Sequence, residues 1–245
     1  MNIEEFPEPI KKDIEDQSLS ILEYITDDII VIGGWAVRAL TGDRHGRYTL
    51  DIDGVTEQKT IKKVESSLGK LGMKRRKSDW GVKFYKHYHP RVDFPEEIKI
   101  EIEKIELRIE LSGPRIKESQ THHYFEFSLT EFTEREIQYH MKKEKVKVHV
   151  PPVEHMAAVK LGLPVDYKDN FDSQVLLEIC NVENVIEVIK SNDDWSEMVM
   201  RRIPKLIGRL SNKERLEYIL AINNGINIRE HIKTMRYIED KLRTR

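Results

Sequence analysis

The stretch IIVIGGWAVRALTG (residues 29–42), followed by RYTLDIDGV (residues 47–55), decides how the first part of the chain folds. Ile29 to Ile32 is a run of β-branched residues and reads as a short buried strand. It stops at Gly33-Gly34. Trp35 to Thr41 has helical character and ends at Gly42, a residue suited to the left-handed backbone that closes a helix. Tyr48 to Val55 reads as a second short strand. Two strands therefore bracket one helix, and the two glycines stand where the first strand hands over to it.

Glycine lets backbone come close to a ligand, and a helix start leaves N–H groups free, so Gly33-Gly34 suits a phosphate. Asp51 and Asp53 are two apart on a strand and leave the same face. Two carboxylates so close repel unless a cation neutralises them. Hard Mg²⁺ takes oxygen ligands, keeps some waters and completes its shell with substrate phosphates. Taken singly, each feature has an ordinary reading: a tight turn, a solvated acid pair. Together, at this spacing, they put a place for phosphate beside a place for metal.

Outward from this core, Ile10, Ile14, Leu19, Ile21 and Leu22 have the spacing of an amphipathic helix over 9–25. Thr56 can cap a helix that runs to about Leu71 and ends at Gly72. From Met73 to Leu111 the pattern alternates, in GVKFYKHYHPRV (81–92) and IKIEIEKIELRIEL (98–111), with a phase slip at Lys104. Ser112-Gly113-Pro114 ends these strands, and 123–128 and 145–150 read as two more. After Pro151-Pro152 the period is helical, over 152–162, 170–190, 194–210, 212–223 and 227–243. Pro164, Pro204 and Asn223-Asn224-Gly225 mark the breaks. The expected class is α+β: a mixed sheet flanked by helices over 1–150, then an all-helical domain over 151–245.

With 41 basic and 43 acidic residues the net charge is −2, so no global basic excess announces a nucleic-acid partner. Lys74-Arg75-Arg76-Lys77 reads most simply as a solvated turn and is also the best local basic patch for an RNA. Cys180 is the single cysteine, which excludes an intrachain disulfide and a cysteine-based zinc site and fits a reducing cytoplasmic location. His87, His89 and His122-His123 lack metal-ligand spacing. MNIEEFPEPIKKDIED lacks the apolar core of a signal peptide, and no apolar run is long enough to span a bilayer, so no membrane role is expected.

Gly33-Gly34-Trp35-Ala36, then Arg47-Tyr48-Thr49-Leu50-Asp51-Ile52-Asp53, resembles the nucleotidyltransferase superfamily related to polymerase beta. More narrowly it is similar to the AbiEii-type branch of toxin-like nucleotidyltransferases. Val150-Pro151-Pro152-Val153-Glu154, Lys160-Leu161, and Lys168-Asp169 with Asp172 resemble that branch's Pro-x-Glu, Lys-Leu and Lys-Asp-x-x-Asp. The resemblance implies a nucleotidyltransferase-type sheet and Mg²⁺-dependent transfer of NMP from an NTP, ATP included, with two ions and Mn²⁺ as a substitute. The acceptor would be a hydroxyl on an RNA or tRNA end, a protein or a small molecule, in a toxin–antitoxin setting. It implies Asp51, Asp53 and Glu110 as metal ligands and catalytic residues, with Lys160 as a further catalytic residue. Glu110 stands where the family more often has Asp; Glu106 and Asp93 are weaker substitutes. Nucleotide contacts would come from Gly33, Gly34, Arg47, Thr49, Lys160 and either Asp169 or Asp172. The glutamate at 110 motivates the alternative, a catalytically weak or inactive nucleotide-binding regulator or antitoxin-like protein.

Overall fold

The strand β1 (Ile30–Ile32) is buried along its whole length, and the chain turns at Gly33 directly into α2 (Gly33–Thr41). That turn requires glycine, because Gly33 has φ +67, where a side chain costs about 1–2 kcal/mol. β2 (Asp51–Val55) runs back antiparallel to β1, with Ile32 opposite Asp53. It begins three residues later than the expected Tyr48. Ahead of it the Thr49 N–H donates to the Glu15 carboxylate at 2.6 Å instead of to a neighbouring strand.

The computed structural model describes residues 3–44, 46–78, 81–117, 124–163, 167–212 and 227–244. They form two compact units. One comprises Met1–Ala39, Arg47–Pro114 and Phe127–Pro151; the other comprises Leu40–Gly46, Arg115–Glu126 and Pro152–Arg245.

The first unit contains α1 (Glu8–Leu22), α3 (Gln58–Lys70) and a five-stranded sheet. Besides β1 and β2, its strands are β3 (Lys74–Lys77), β4 (Val82–His87) and β5 (Glu106–Ser112). Their order is β1-β2-β5-β4-β3, with β2 and β5 parallel and the other pairs antiparallel. Alternation sorts the side chains. Ile52, Phe84, Leu107, Ile109 and Leu111 are buried on one face. Asp51, Asp53, Arg108, Glu110, Lys83 and Tyr85 share the other. A hairpin of β8 (Thr133–Gln138) and β9 (Lys145–Val150) completes this unit.

The second unit holds the hairpin β6 (Arg115–Lys117) and β7 (Tyr124–Glu126) and the later helices. These are α5 (Val153–Gly162), α6 (Tyr167–Leu177), α7 (Val182–Lys190), α8 (Asp193–Leu210) and α9 (Ile228–Arg243). Phe171, Val175, Ile189, Met198, Ile203, Met235 and Ile238 are buried among them. Trp195 of α8 donates its indole N–H to the Tyr124 carbonyl at 2.8 Å, and its ring meets Phe125 edge-on at 5.5 Å. The protein is thus α+β, with a mixed sheet flanked by helices and a helical C-terminal region.

Several local expectations are corrected. IKIEI does not extend a strand: Lys99–Glu103 form a short helix, α4, which buries Ile102 and leaves Ile100 63% exposed. Lys74-Arg75-Arg76-Lys77 is not a turn but the edge strand β3, hydrogen-bonded to β4. The helix expected over 170–190 is two, because Asn181 caps a new start by accepting from the Glu183 N–H at 3.0 Å. Pro204 lies inside α8 without ending it. It is on the exposed side, and the Met200 carbonyl it leaves unbonded belongs to a residue 36% exposed, so water can serve that carbonyl. Thr56 does not cap α3; its hydroxyl donates to the Asp28 carbonyl at 2.6 Å. His122-His123, Pro164, nearly all of the helix expected over 212–223, and Asn223-Asn224-Gly225 lie outside the described residues. Among the described residues no helix is long and apolar enough to cross a membrane.

Candidate active site

The Gly33 turn lies directly against Asp53 of β2. A Cβ placed on Gly33 would stand 2.3 Å from Asp53 Oδ2 and 3.1 Å from Asp53 Cβ and Cγ. The aspartate therefore occupies the space that a side chain on the turn would take. A Cβ on Gly34 would lie 2.9 Å from Arg47 Nη2 and 3.1 Å from Thr49 Oγ1. Gly33, Gly34, Arg47, Thr49 and Asp53 are thus gathered around one bend. Arg47 is 8% exposed and Thr49 5%. Among the described residues the Thr49 hydroxyl is buried with no hydrogen-bond partner, so this bend holds an unanswered polar group.

Asp51 and Asp53 leave the same face of β2, Asp51 exposed and Asp53 half-buried. In the parallel pairing with β5, Asp53 lies beside Glu110 and Asp51 beside Arg108. Glu110 is therefore on the face and in the register that a third carboxylate would need. Its carboxylate is engaged, with Lys83 of β4 at 3.1 Å. Glu106 is held by Arg76 at 3.4 Å and Arg108 at 3.1 Å, and Asp93 is exposed in a loop. Among the described residues no three or more His, Cys, Asp or Glu side chains are drawn together closely enough to hold an ion. The donor chemistry at Asp51 and Asp53, two hard oxygen donors beside a bend that leaves room only for a hydrogen, fits a divalent cation.

An unforeseen layer holds this segment. Helix α1 buries Asp13, Glu15 and Asp16 at 1%, 0% and 6% exposure. Glu15 accepts from the Thr49 N–H, pairs with Arg38 of α2, and lies 2.6 Å from the His140 Nε2. One buried carboxylate thus ties α2, the approach to β2 and the β8–β9 turn together. Asp16 accepts from the His140 and Met141 N–H groups at 2.7 and 2.9 Å. Asp13 accepts from the Tyr88 hydroxyl at 2.7 Å and the Arg91 N–H at 2.8 Å. Burial, with Asp13 as acceptor, pushes the Tyr88 hydroxyl pKa well up. Tyr48, just before Thr49, donates to Glu8 and has the Lys11 ammonium 4.8 Å over its ring. In the sequence, only the crowding of three acids around Ile14 hinted at this layer.

The remaining expected residues lie in the second unit. Lys160 of α5, 6% exposed, donates to Asp169 Oδ1 at 2.7 Å and lies 2.9 Å from Asp172 Oδ2. The sequence left Asp169 and Asp172 as alternatives, and the structure engages both. Alongside, on α6, the Asn170 Oδ1 and both amide atoms of Gln174 are buried without hydrogen-bond partners among the described residues. His155 of α5 is half-buried against Trp195, ring to ring at 5.1 Å. Burial pulls its pKa down to about 4, against a smaller upward effect from a backbone hydrogen bond to Glu126.

No protein-family model matches the chain, and no curated protein matches it. Among solved structures, the antibiotic-resistance factor ANT(2'')-Ia aligns over 72% of this chain and 90% of its own, at 14% identity and a TM-score of 0.46. JHP933 from Helicobacter pylori aligns over 98% and 95%, at 12% identity and 0.49. A candidate nucleotidyltransferase from H. pylori aligns over 98% of both chains, at 14% identity and a TM-score of 0.50. Over nearly its whole length, this chain carries the nucleotidyltransferase fold.

Proposed function

We propose that the protein is a Mg²⁺-dependent nucleotidyltransferase of the AbiEii-like, toxin-type branch, moving NMP from an NTP to a hydroxyl acceptor. The observation that carries this reading is the contact between the Gly33 turn and Asp53, with Asp51 on the same face and Glu110 in register beside them. The fold shared with the H. pylori protein supports it.

In this account Asp51 and Asp53 hold a divalent ion, and Glu110 joins them once its pair with Lys83 yields. Ions held there would neutralise the triphosphate and lower the pKa of the attacking hydroxyl. The free N–H groups at the start of α2 and the Arg47 guanidinium bind phosphate oxygens, and the buried Thr49 hydroxyl finds its partner there. Glu15 keeps Thr49 and the following strand in place as charge shifts, which is the positioning that phosphoryl transfer depends on. Lys160, held by Asp169 and Asp172, is the further residue that the family resemblance assigns to phosphate charge. The acceptor oxygen forms a bond to the α-phosphorus, the bond to the β-phosphate oxygen breaks, pyrophosphate leaves, and the hydroxyl proton passes to water.

The test supplies each labelled NTP with Mg²⁺ and a cell extract separated into RNA, protein and small-molecule fractions. Label should enter one fraction with wild-type protein and none with Asp53→Asn. A second reading, a nucleotide-binding regulator without turnover, draws on the Lys83–Glu110 pair, which occupies the third carboxylate. Calorimetric binding of triphosphate with no label transfer to any fraction would favour it.

A further inference from the structure

Lys86 of β4 stands opposite Leu107 of β5, and strand alternation puts it on the face of the sheet away from Asp51 and Asp53. It is half-buried, in the wall of a groove of about 360 Å³ that opens where β3 begins and β4 ends. The lining includes Lys74, Tyr85, Lys86, His87, His89 and, from α1, Gln17, and no carboxylate.

Among the described residues no carboxylate pairs with Lys74 or Lys86. Asp13 of α1, the acid that Gln17 touches, is buried and occupied. It accepts from the Tyr88 hydroxyl at 2.7 Å, the Arg91 N–H at 2.8 Å and the Gln17 amide at 3.1 Å. The same Gln17 amide donates to the His89 carbonyl at 2.7 Å, which fixes that side of the groove. The groove is thus a concavity of ammonium and imidazole groups with no anion of its own. An ammonium is costly there: burial, and then the nearby Arg91 charge, lowers the Lys86 pKa. Entry of an anion relieves that cost, and so does loss of the charge on the amine. An anionic acylating agent supplies both.

We propose that this groove admits a small acyl phosphate and that Lys86 is the residue it acylates. The phosphate is held by Lys74 and the imidazoles while the carbonyl carbon meets the Lys86 nitrogen. As the free amine, that nitrogen bonds to the carbonyl carbon. The bond from this carbon to the phosphate oxygen breaks, inorganic phosphate leaves with the electron pair, and the extra proton on nitrogen passes to water. The product is a neutral amide, so the half-buried charge is gone. The site is separate from Asp51 and Asp53 and stands or falls without the transfer reading. The chain carries its own controls. Lys59, Lys99, Lys142 and Lys147 are exposed, and each donates to a carboxylate, Glu57, Glu96, Glu144 and Glu134 in turn, which raises its pKa. These four hold their protons more tightly and line no cationic groove.

The test incubates the full chain with acetyl phosphate at neutral pH and constant ionic strength and times acetylation of each lysine by peptide mass spectrometry. The free-amine fraction changes about tenfold per pKa unit, so Lys86 should react roughly fivefold or more faster than each control lysine. Sulfate, added at the same ionic strength, should slow Lys86 at least about twofold by occupying the groove and leave the controls unchanged. Lys74→Gln, with circular dichroism to confirm folding, reads the attraction of the groove for an anion. It should lower the ratio of the Lys86 rate with acetyl phosphate to its rate with uncharged acetic anhydride by about threefold. Unfolding in urea should erase the preference for Lys86. The proposal is overturned if Lys86 reacts no faster than the controls, if sulfate leaves its rate unchanged, or if the donor ratio is the same in Lys74→Gln. A preference that survives urea would place its cause in local sequence and overturn the proposal as well.

Discussion

Replacing Gly33 by alanine separates two costs that the structure assigns to different glycines. Gly33 and Gly72 have similar left-handed backbones, φ +67 and +75. An alanine at either position pays about 1–2 kcal/mol for that conformation. At Gly72 the new Cβ meets nothing within 4 Å, whereas at Gly33 it stands 2.3 Å from Asp53 Oδ2. That contact can be relieved only by turning Asp53 off its rotamer, at about 0.5–1.5 kcal/mol, or by shifting β2. Gly33→Ala should therefore cost about 1.5–3.5 kcal/mol in urea unfolding and Gly72→Ala only about 1–2, with unchanged denaturant dependence. The ligand-side effect is sharper, because the displaced carboxylate is the one assigned to the ion. Mn²⁺ titration by calorimetry should show at least a tenfold loss of affinity, about 1.4 kcal/mol, for Gly33→Ala and none for Gly72→Ala. Equal stability losses with equal Mn²⁺ affinities would refute the close approach of turn and aspartate.

Glu15→Gln leaves the half-buried Arg38 against a buried neutral amide and should cost about 3–5 kcal/mol in urea unfolding; stability near that of wild type would show the network to be incidental. His155 carries a pH signature. Its folded-state pKa, about 4, is depressed below the ordinary 6.5, so the folded protein resists a proton that the unfolded chain accepts. Stability is full above about pH 6.5 and declines as pH falls toward 4, by about 2 kcal/mol at pH 5 from this group. His155→Phe should flatten the acid limb of stability against pH by about one proton, and an unchanged limb would contradict the assignment.

The part of the fold legible in the sequence is the part whose causes are local. The β-branched run, the glycine bend and the two aspartates lie within 25 residues, and the strand–turn–helix–strand they specify is the one that forms. Glu110 was legible as a candidate because strand alternation fixes its face, but its partner Lys83 is set by the pairing of β4 with β5. The α1 acids were opaque for the same reason on a longer scale. Glu15 meets Thr49 and His140 at separations of 34 and 125 residues, and Asp13 meets Tyr88 at 75. Local spacing carries no trace of such partners. IKIEI satisfied strand alternation and also placed Ile98 and Ile102 one helical turn apart; the helix that forms buries Ile102 and leaves Ile100 in solvent. In β3, four successive cations look like a solvated turn because strand formation there depends on hydrogen bonds to β4 and not on apolar side chains.

The central claim is that Asp51 and Asp53 together hold the ion that makes nucleotidyl transfer occur. Pyrophosphate release with Mg²⁺ and the NTP and acceptor fraction that support transfer, compared among wild type, Asp51→Asn and Asp53→Asn of equal thermal stability, tests it most directly. Each single substitution should abolish release, at least a thousandfold, and excess Mg²⁺ should not restore it. A variant of either aspartate that turns over at near the wild-type rate would contradict the account.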